Sequence, residues 1–434
     1  MAFVGNIAKI PELRRRIIFT IMMLGVYRIG IFVPTPGINA EALKRIISQG
    51  TVFEIFNLFS GGALERFSVF ALGIMPYISA SIIFQLLAVA VPAIATMQKE
   101  GEAGRKKITQ YTRYGTVLLS MVQGFGISYG LEQQGILLPG SGGLVFYLTT
   151  MVTLSAGTCF LMWLGEQISE RGIGNGISLI IFSGIVTRIP GALRDAWNTK
   201  EQFAGLFGFL LLMLFIAAVV GVIIFFERGQ RRIPVQYAKR IVGRKMYGGQ
   251  ESHLPLKINM AGVIPPIFAS SLILFPATIA QFVQSEKMQM IAGFLSYGWF
   301  HDFIYATLII FFCYFYTAVT FNPIDVAENM RKIGGFIPGI RPGKNTSDYI
   351  DRVLTRITFG GALYVTLICL LPSFLITQFG IPPSLASVFG GTSLLIVVGV
   401  AMDTVAQIES HLLSRHYEGF MGTKMGGRFK GRKG

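Results

Sequence analysis

The chain has 434 residues, 52% of them apolar and 14% charged, with a mean hydropathy of +0.58 and a formal net charge of +16. Soluble domains carry about 25% charged residues, so this deficit and the long apolar runs exclude a soluble globule and indicate a polytopic membrane protein. Cys159, Cys313 and Cys369 all lie inside apolar runs. An odd number without C-x-x-C spacing excludes a disulfide framework and a cysteine zinc site.

Ten apolar segments follow in chain order: Ile17–Val33, Gly73–Val91, Gly115–Tyr129, Leu144–Leu164, Ile177–Ile189, Ala204–Phe226, Asn259–Val283, Phe303–Phe321, Thr358–Ile376 and Leu385–Met402. A spanning helix needs about 20 residues. Arg14, Arg15 and Arg16 precede the first segment, and no small-residue cleavage site follows it. It reads as a retained span. Before the second segment, Ser60 to Leu72 holds Gly61, Gly62, the charged pair Glu65 and Arg66, and a short apolar half-segment. Two readings fit: a short segment dipping into a protein-lined cavity, where irregular backbone is tolerated at membrane depth, or an ordinary loop before a kinked spanning helix. The fifth segment is short, announced by Gly172, Gly174 and Gly176 and closed by Pro190.

Lys and Arg alternate sharply between connections. The N-terminal arm, the second-to-third, sixth-to-seventh and eighth-to-ninth connections, the tail and Arg171 together hold 30 of the 38. That asymmetry places both termini in the cytoplasm. Basic loops follow from this bias and from anionic lipid alone. The loops 227–257 and 322–356 are longer than that requires, and rich in Gly, Pro, Tyr and Arg. Arg232, Lys239, Arg240, Arg244 and Lys245 in the first and Arg341 in the second suit docking of an anionic macromolecule such as ribosomal RNA, or of an acidic protein.

An internal repeat links the two halves. Gly73-Ile-Met-Pro76-Tyr-Ile78-Ser-Ala80-Ser81 shares G-x-x-P-x-I-x-A-S with Gly262-Val-Ile-Pro265-Pro-Ile267-Phe-Ala269-Ser270. Gly176-Ile-Ser178-Leu179-Ile-Ile181 shares G-x-S-L-x-I with Gly391-Thr-Ser393-Leu394-Leu-Ile396. Both pairs are offset by five spans. Five is odd, so the halves have opposite orientations, and a functional site is expected near the midplane where interrupted segments meet. The repeat pairs Ile78 with Ile267 and Ile181 with Ile396; one turn back, Ile74 and Ile177 share their faces. These six isoleucines read either as helix-packing core or as a ring about the pseudo-axis. A ring offers no ligand to a solute, but it can gate by dewetting and seal around a varied object through non-directional contacts. Ile78 lies about 7.5 Å of helix beyond Gly73, whereas the midplane is about 15 Å from either surface. The second span must therefore begin inside the membrane beneath a funnel, with Ser60 to Leu72 as a plug. The expected fold is an all-α polytopic membrane protein with ten transmembrane helices in two inverted pseudo-symmetric halves of five, a central pore and a plug segment.

Several chemistries are missing. Gly339-Ile-Arg341-Pro-Gly343-Lys344-Asn345 has the wrong glycine spacing for a phosphate loop, and no Ser or Thr follows Lys344. H-E-x-x-H and G-x-S-x-G are absent, and His253, His301, His411 and His416 have no metal spacing. No cofactor is expected. Intramembrane charge is sparse, mainly Arg28 and Asp403 near span ends, which counts against an ion-coupled transporter.

The blocks FSGGALERFSVFALGIMPYISASI, EGEAGRKKITQYTRYG, FLMWLGEQISERGIGNGIS, ERGQRRIPVQYAKR, HLPLKINMAGVIP, GFIPGIRPG and FGGTSLLIVV together resemble the bacterial members of the SecY/Sec61 family of protein-conducting channels. The resemblance covers nearly the whole chain. It implies a non-enzymatic channel in the bacterial cytoplasmic membrane, with halves at 1–190 and 203–434 hinged over 191–202. It implies a pore ring of Ile74, Ile78, Ile177, Ile181, Ile267 and Ile396. It implies a plug that includes Ser60, Gly61, Gly62, Leu64, Phe67, Phe70 and Leu72, and a lateral gate between the second/third and seventh/eighth spans that releases apolar segments into lipid. Arg341 matches the family's key arginine; Arg232, Arg244 and Lys245 match the ribosome-contacting set, with Lys245 standing where arginine is common. No contact is carried to the basic tail 407–434. The implied partners are SecE, SecG, the SecA ATPase, the ribosome, signal peptides with unfolded preproteins, and anionic lipid.

Overall fold

The structure, a computed structural model, describes residues 11–39, 41–43, 60–140, 142–198, 205–237, 240–242, 245–247, 251–282, 298–379, 386 and 388–425. Each of the ten apolar segments falls on a helix. In chain order the helices are α1 Pro11–Gly30, α2 Met75–Ala90, α3 Pro92–Lys99, α4 Glu102–Gln133, α5 Leu144–Arg171, α6 Gly176–Val186 and α7 Ile189–Asn198. They continue as α8 Gly205–Arg228, α9 Ile264–Phe282, α10 Trp299–Thr320, α11 Pro323–Lys332, α12 Lys344–Phe379 and α13 Gly391–Met425. Among the described residues, Leu144–Arg171, Gly176–Asn198, Gly205–Arg228, Trp299–Lys332, Lys344–Gln378 and Gly391–Leu412 are long and apolar enough to cross a membrane. A further candidate is α2 with α3, bent by 104°. The bend falls at Val91, which is extended (φ −111°, ψ 112°), as the residue before a proline prefers.

Several boundaries differ from the sequence reading. The fifth segment does not stop at Pro190: α6 ends at Val186, and Pro190 is the second residue of α7, where its fixed φ suits a helix start. The 191–202 connection is therefore helical through Asn198, and 199–202 lie outside the described residues. Helices α4 and α5 outrun their apolar cores, so Arg113 and Glu166 fall within helices rather than loops.

The chain divides into two compact units, Met1–Gly191 with Ile396–Gly434, and Ala192–Leu395. In the first unit α5 packs against α4, α6 and α1, and α2 packs against α4. In the second, α10 packs against α9 and α12, and α11 lies against α12. The second unit also holds strands that helical periodicity does not announce. β1 Gln230–Tyr237 pairs antiparallel with β4 Glu251–Lys257 and with β5 Gly335–Phe336, in the order β4-β1-β5. β2 Arg240–Val242 and β3 Lys245–Tyr247 form a separate hairpin. In β1, Ile233 and Val235 are buried on either side of an exposed Pro234, the period-two alternation of a half-buried strand.

Candidate functional site: paired helix starts, a buried turn segment and a basic sheet

The repeat has a backbone basis. Gly73 has φ 57° and Gly262 has φ 62°, the left-handed region that glycine adopts without a Cβ penalty. In each case the helix begins two residues later, at Met75 or Ile264, and Pro76 or Pro265 is its second residue. Proline tolerates that position because its missing N–H would be unpaired there anyway. Five residues past each glycine stands an isoleucine, Ile78 or Ile267, each 6% exposed. The Ile78 N–H donates to the Ile74 carbonyl at 3.1 Å, so the two share one face of α2. The Ile267 carbonyl accepts from the Ser270 and Ser271 hydroxyls at 3.0 and 2.7 Å, which satisfies both hydroxyls inside an apolar helix.

The second repeat pair is built on close approach. α6 and α13 both begin on a glycine, Gly176 and Gly391. A Cβ on Gly176 would stand 1.9 Å from the Gly165 carbonyl oxygen, and one on Gly391 would stand 1.4 Å from that of Ile368. Each helix start is thus pressed onto the helix before it. The match reaches further. Val69 and Ile258 each precede the left-handed glycine by four residues, and their carbonyl oxygens lie 2.0 and 2.5 Å from where a Cβ would stand on Gly157 of α5 and Gly361 of α12. This layer was missed in the sequence because the two glycines share no motif around them.

Of the six isoleucines, Ile74, Ile78, Ile177, Ile181 and Ile396 belong to the first unit and Ile267 to the second. Ile74, Ile181 and Ile396 are each 1% exposed. Ile177 is half-buried; its Cγ1 lies 3.1 Å from the Cβ position of Gly165, so it also packs on α5. Asn175 caps α6, accepting from the Ile177 and Ser178 N–H groups at 3.1 and 3.3 Å.

Ser60 to Leu72 is a succession of turns, not a helix and not an exposed loop. Ser60, Gly61, Leu64, Phe67, Phe70 and Leu72 are buried, and Gly62 is half-buried. Gly61 (φ 65°) and Gly62 (φ 89°) turn the chain. Phe67 has φ 42°, an outlier for a bulky residue that costs about 1–3 kcal/mol and persists only when neighbours over-determine it. They do: the Phe67 N–H donates to Leu64 O at 3.0 Å, its carbonyl accepts from the Thr35 N–H at 2.8 Å, and the Val69 N–H donates to Val33 O at 3.0 Å. Arg66 points outward over the Phe32 ring at 4.2 Å, a cation–π contact that keeps the charge out of the buried segment.

The two long loops form one body rather than two. Ile233, Val235 and Leu256 of the sheet share a buried cluster with Met330, Ile337 and Ile350 from the other loop. β5 of that loop pairs with β1, Gln236 opposite Phe336. Arg232 and Arg341 are both exposed on this body. The Arg341 carbonyl accepts from the Thr346 hydroxyl at 3.0 Å, which fixes the backbone while leaving the guanidinium outside. Arg240 and Lys245 lie on β2 and β3, whereas Lys239 and Arg244 lie outside the described residues. Alternation in Ile-Pro-Val and Leu-Pro-Leu was the signal that could have revealed these strands.

Opposite charges just beyond neighbouring apolar ends were the signal for one further feature. Arg113 Nε and Nη2 donate to Glu166 Oε1 and Oε2 at 2.9 and 2.7 Å, a bidentate pair joining α4 to α5. Among the described residues no group of three or more His, Cys, Asp or Glu side chains is placed to hold a metal.

The SecY family profile matches residues 68–405. Protein translocase subunit SecY of Escherichia coli (strain K12) is 53% identical over 423 residues, covering 94% of this chain and 93% of the relative. Among solved structures, one described as the structure of a protein conducting channel superposes with TM-score 0.67 at 19% identity, covering 95% of this chain and 96% of that one. Sec61 in the canine ribosome-channel complex from the endoplasmic reticulum superposes with TM-score 0.63 at 18% identity, over the same shares of both chains. At those identities the structural matches speak to a shared fold.

Proposed function

This chain belongs to the SecY family, and from that premise we propose that its six isoleucines line the constriction of a protein-conducting channel that Ser60–Leu72 closes at rest. The chain is a protein translocase subunit in a membrane and not an enzyme. Its halves, 1–190 and 203–434, move about the 191–202 connection. Unfolded secretory chains pass the ring, and apolar segments leave sideways into lipid. The isoleucines suit this task because a passing chain presents every side-chain chemistry in turn, and dispersion contacts seal around all of them.

The observation that carries the reading is the doubled helix start. Two left-handed glycines, each followed by Pro at the same offset, set an isoleucine five residues on in both halves. No side chain at those ring positions can bind a small solute.

The basic body of the two loops is the docking face. Arg232, Arg240, Lys245 and Arg341, with Lys239 and Arg244, meet ribosomal RNA or the acidic surface of the SecA ATPase on the cytoplasmic side. The neighbouring Sec61 complex is ribosome-bound, which supports that partner. SecE and SecG complete the channel, anionic lipid surrounds it, and both termini lie in the bacterial cytoplasm.

A crosslink tests the channel. A single cysteine replaces Ile78 in a background with Cys159, Cys313 and Cys369 changed to Ala, and a secretory precursor with one cysteine in its mature part is stalled midway. A disulfide between the two is expected. If none forms at Ile78 or Ile181 while a control cysteine in the 227–257 loop still meets the precursor, the chain docks clients without conducting them.

A further inference from the structure

Arg28 is one of the two intramembrane charges that the channel reading leaves without a task. It stands in the last turn of α1, where a cation is favoured by the helix dipole. Its contact, however, is made outside its own helix. Arg28 Nη1 donates to the Gly61 carbonyl at 3.2 Å. The neighbouring Tyr27, 1% exposed, donates its hydroxyl to the Ser60 carbonyl at 3.1 Å. Consecutive side chains of α1 thus grip consecutive carbonyls of the turn segment.

Gly61 sits in a three-way contact. A Cβ there would stand 2.8 Å from Gly184 Cα, 3.0 Å from Tyr27 Oη and 3.2 Å from Arg28 Nη1. Gly184 belongs to α6, three residues beyond Ile181. The same end of α6 leads to Arg188, which lies 3.9 Å from Glu65 of the segment. Farther along, Gly30 lets the Phe70 ring lie against α1, since a Cβ there would overlap that ring, and Phe70 stacks between Tyr27 and Phe160 at 6.2 and 5.8 Å. The segment is therefore clamped between a polar grip on α1 and a glycine backstop on α6.

We propose that Tyr27 and Arg28 are the latch of the plug, and that Gly184 ties this latch to the helix carrying Ile177 and Ile181. The inference rests on the plug reading above. Because the acceptors are main-chain carbonyls, the latch does not depend on plug side chains. The Ser60 carbonyl also accepts from the Ala63 N–H at 3.3 Å within its turn, and its second lone pair takes the Tyr27 hydroxyl. Outward movement of α6 withdraws Gly184 from Gly61 and opens the distance from Arg188 to Glu65. Widening the ring and loosening the plug are then one motion. Tyr27 and Arg28 are positioning residues: they touch the plug, not the passing chain.

The test uses the full chain with the subunits that co-purify, in planar bilayers, with Cys159, Cys313 and Cys369 changed to Ala. Replacement of residues 61–72 by a short Gly/Ser linker is the control for the plug itself and is expected to leak ions. Arg28→Gln removes a charge-assisted hydrogen bond and is expected to raise open probability about ten- to hundredfold; Tyr27→Phe does so by less. Arg28→Lys, which still donates, returns conductance to near the native level. Pro34 and Ser68 form a bridge pair, within the Cα spacing a disulfide needs. Pro34→Cys with Ser68→Cys in the Arg28→Gln background is therefore expected to reseal on oxidation and leak again on reduction. If the linker control leaks while Arg28→Gln stays tight, the latch is wrong and the plug stands. If Arg28→Gln leaks but the oxidised tether does not reseal it, the leak arises elsewhere and the latch is again wrong. A tight linker control overturns the plug and the latch together.

Discussion

The helix starts at Gly73 and Gly262 use one backbone device, yet the chain that feeds them differs in kind. Before Gly73 come buried apolar turns held by carbonyl contacts to α1 and α5. Before Gly262 come β4, then Ile258 and the buried Asn259, whose amide donates to Glu227 Oε1 at 2.6 Å and to Gly262 O at 3.1 Å. One half thus leads its helix out of buried apolar turns, the other out of a basic sheet. The repeated part, from glycine to isoleucine, is the same backbone solution in both halves, and what precedes it is not. In the function proposed above, the unrepeated part before it divides the labour, closing in one half and docking in the other.

The largest effects are expected at the glycines that press the helix starts down. Gly391→Ala places a methyl 1.4 Å from Ile368 O, and Gly176→Ala one 1.9 Å from Gly165 O. Backbone cannot yield as a flexible side chain does, so each is expected to cost about 4 kcal/mol or more, with little full-length protein recovered from membranes. Normal recovery of both would show that the paired starts are not rigid. Next in size is Arg341→Glu, expected to lower motor-driven export about tenfold or more while the complex assembles and the resting pore stays tight. The converse is Ile78→Ser with Ile181→Ser, expected to leak ions in planar bilayers while motor binding is unchanged. If the first variant leaked, or the second lost motor binding, closing and docking would not be separable by half.

Smaller effects sharpen the contrast at single caps. Asn259→Ala removes a buried amide and is expected to cost about 1–3 kcal/mol, read as a lower Tm of the detergent-solubilised complex. A Tm within error of the native value would mean that the second helix start needs no tie to α8. The smallest concerns α6, which has Asn175 as its cap where α13 has Gly390; the Leu179 and Leu394 N–H groups donate to those residues' carbonyls at 2.9 and 3.0 Å. Asn175→Gly gives the first half the second half's solution and is expected to cost only a few tenths of a kcal/mol. A loss near 2 kcal/mol would show that the halves cap these helices by different means.

Much of the architecture was legible because it is local. Apolar run length marks helices, and Gly followed by Pro at a fixed offset marks where an interrupted helix begins, since both residues constrain φ within their own turn. The fifth segment was misread at Pro190 because a proline that ends one helix and a proline that starts the next look alike in sequence. The sheet was missed because Pro234 and Pro255 interrupt the alternation of β1 and β4 in sequence, and β5 contributes only Gly335 and Phe336. No local pattern announces a two-residue strand whose partner lies about a hundred residues earlier.

The amino-acid sequence by itself determined the spans, the two interrupted helix starts, the isoleucines set beyond them and the alternation of positive charge between connections. Each follows from forces acting within a few residues or from the solvent the segment meets. Tertiary structure alone decided that Ser60–Leu72 is buried turns, that Tyr27 and Arg28 grip its carbonyls, and that the two basic loops share one core. Those outcomes depend on which donor finds which main-chain oxygen across distant chain, and every residue presents the same carbonyl. Composition therefore carries no trace of the choice, and only packing selects the partner.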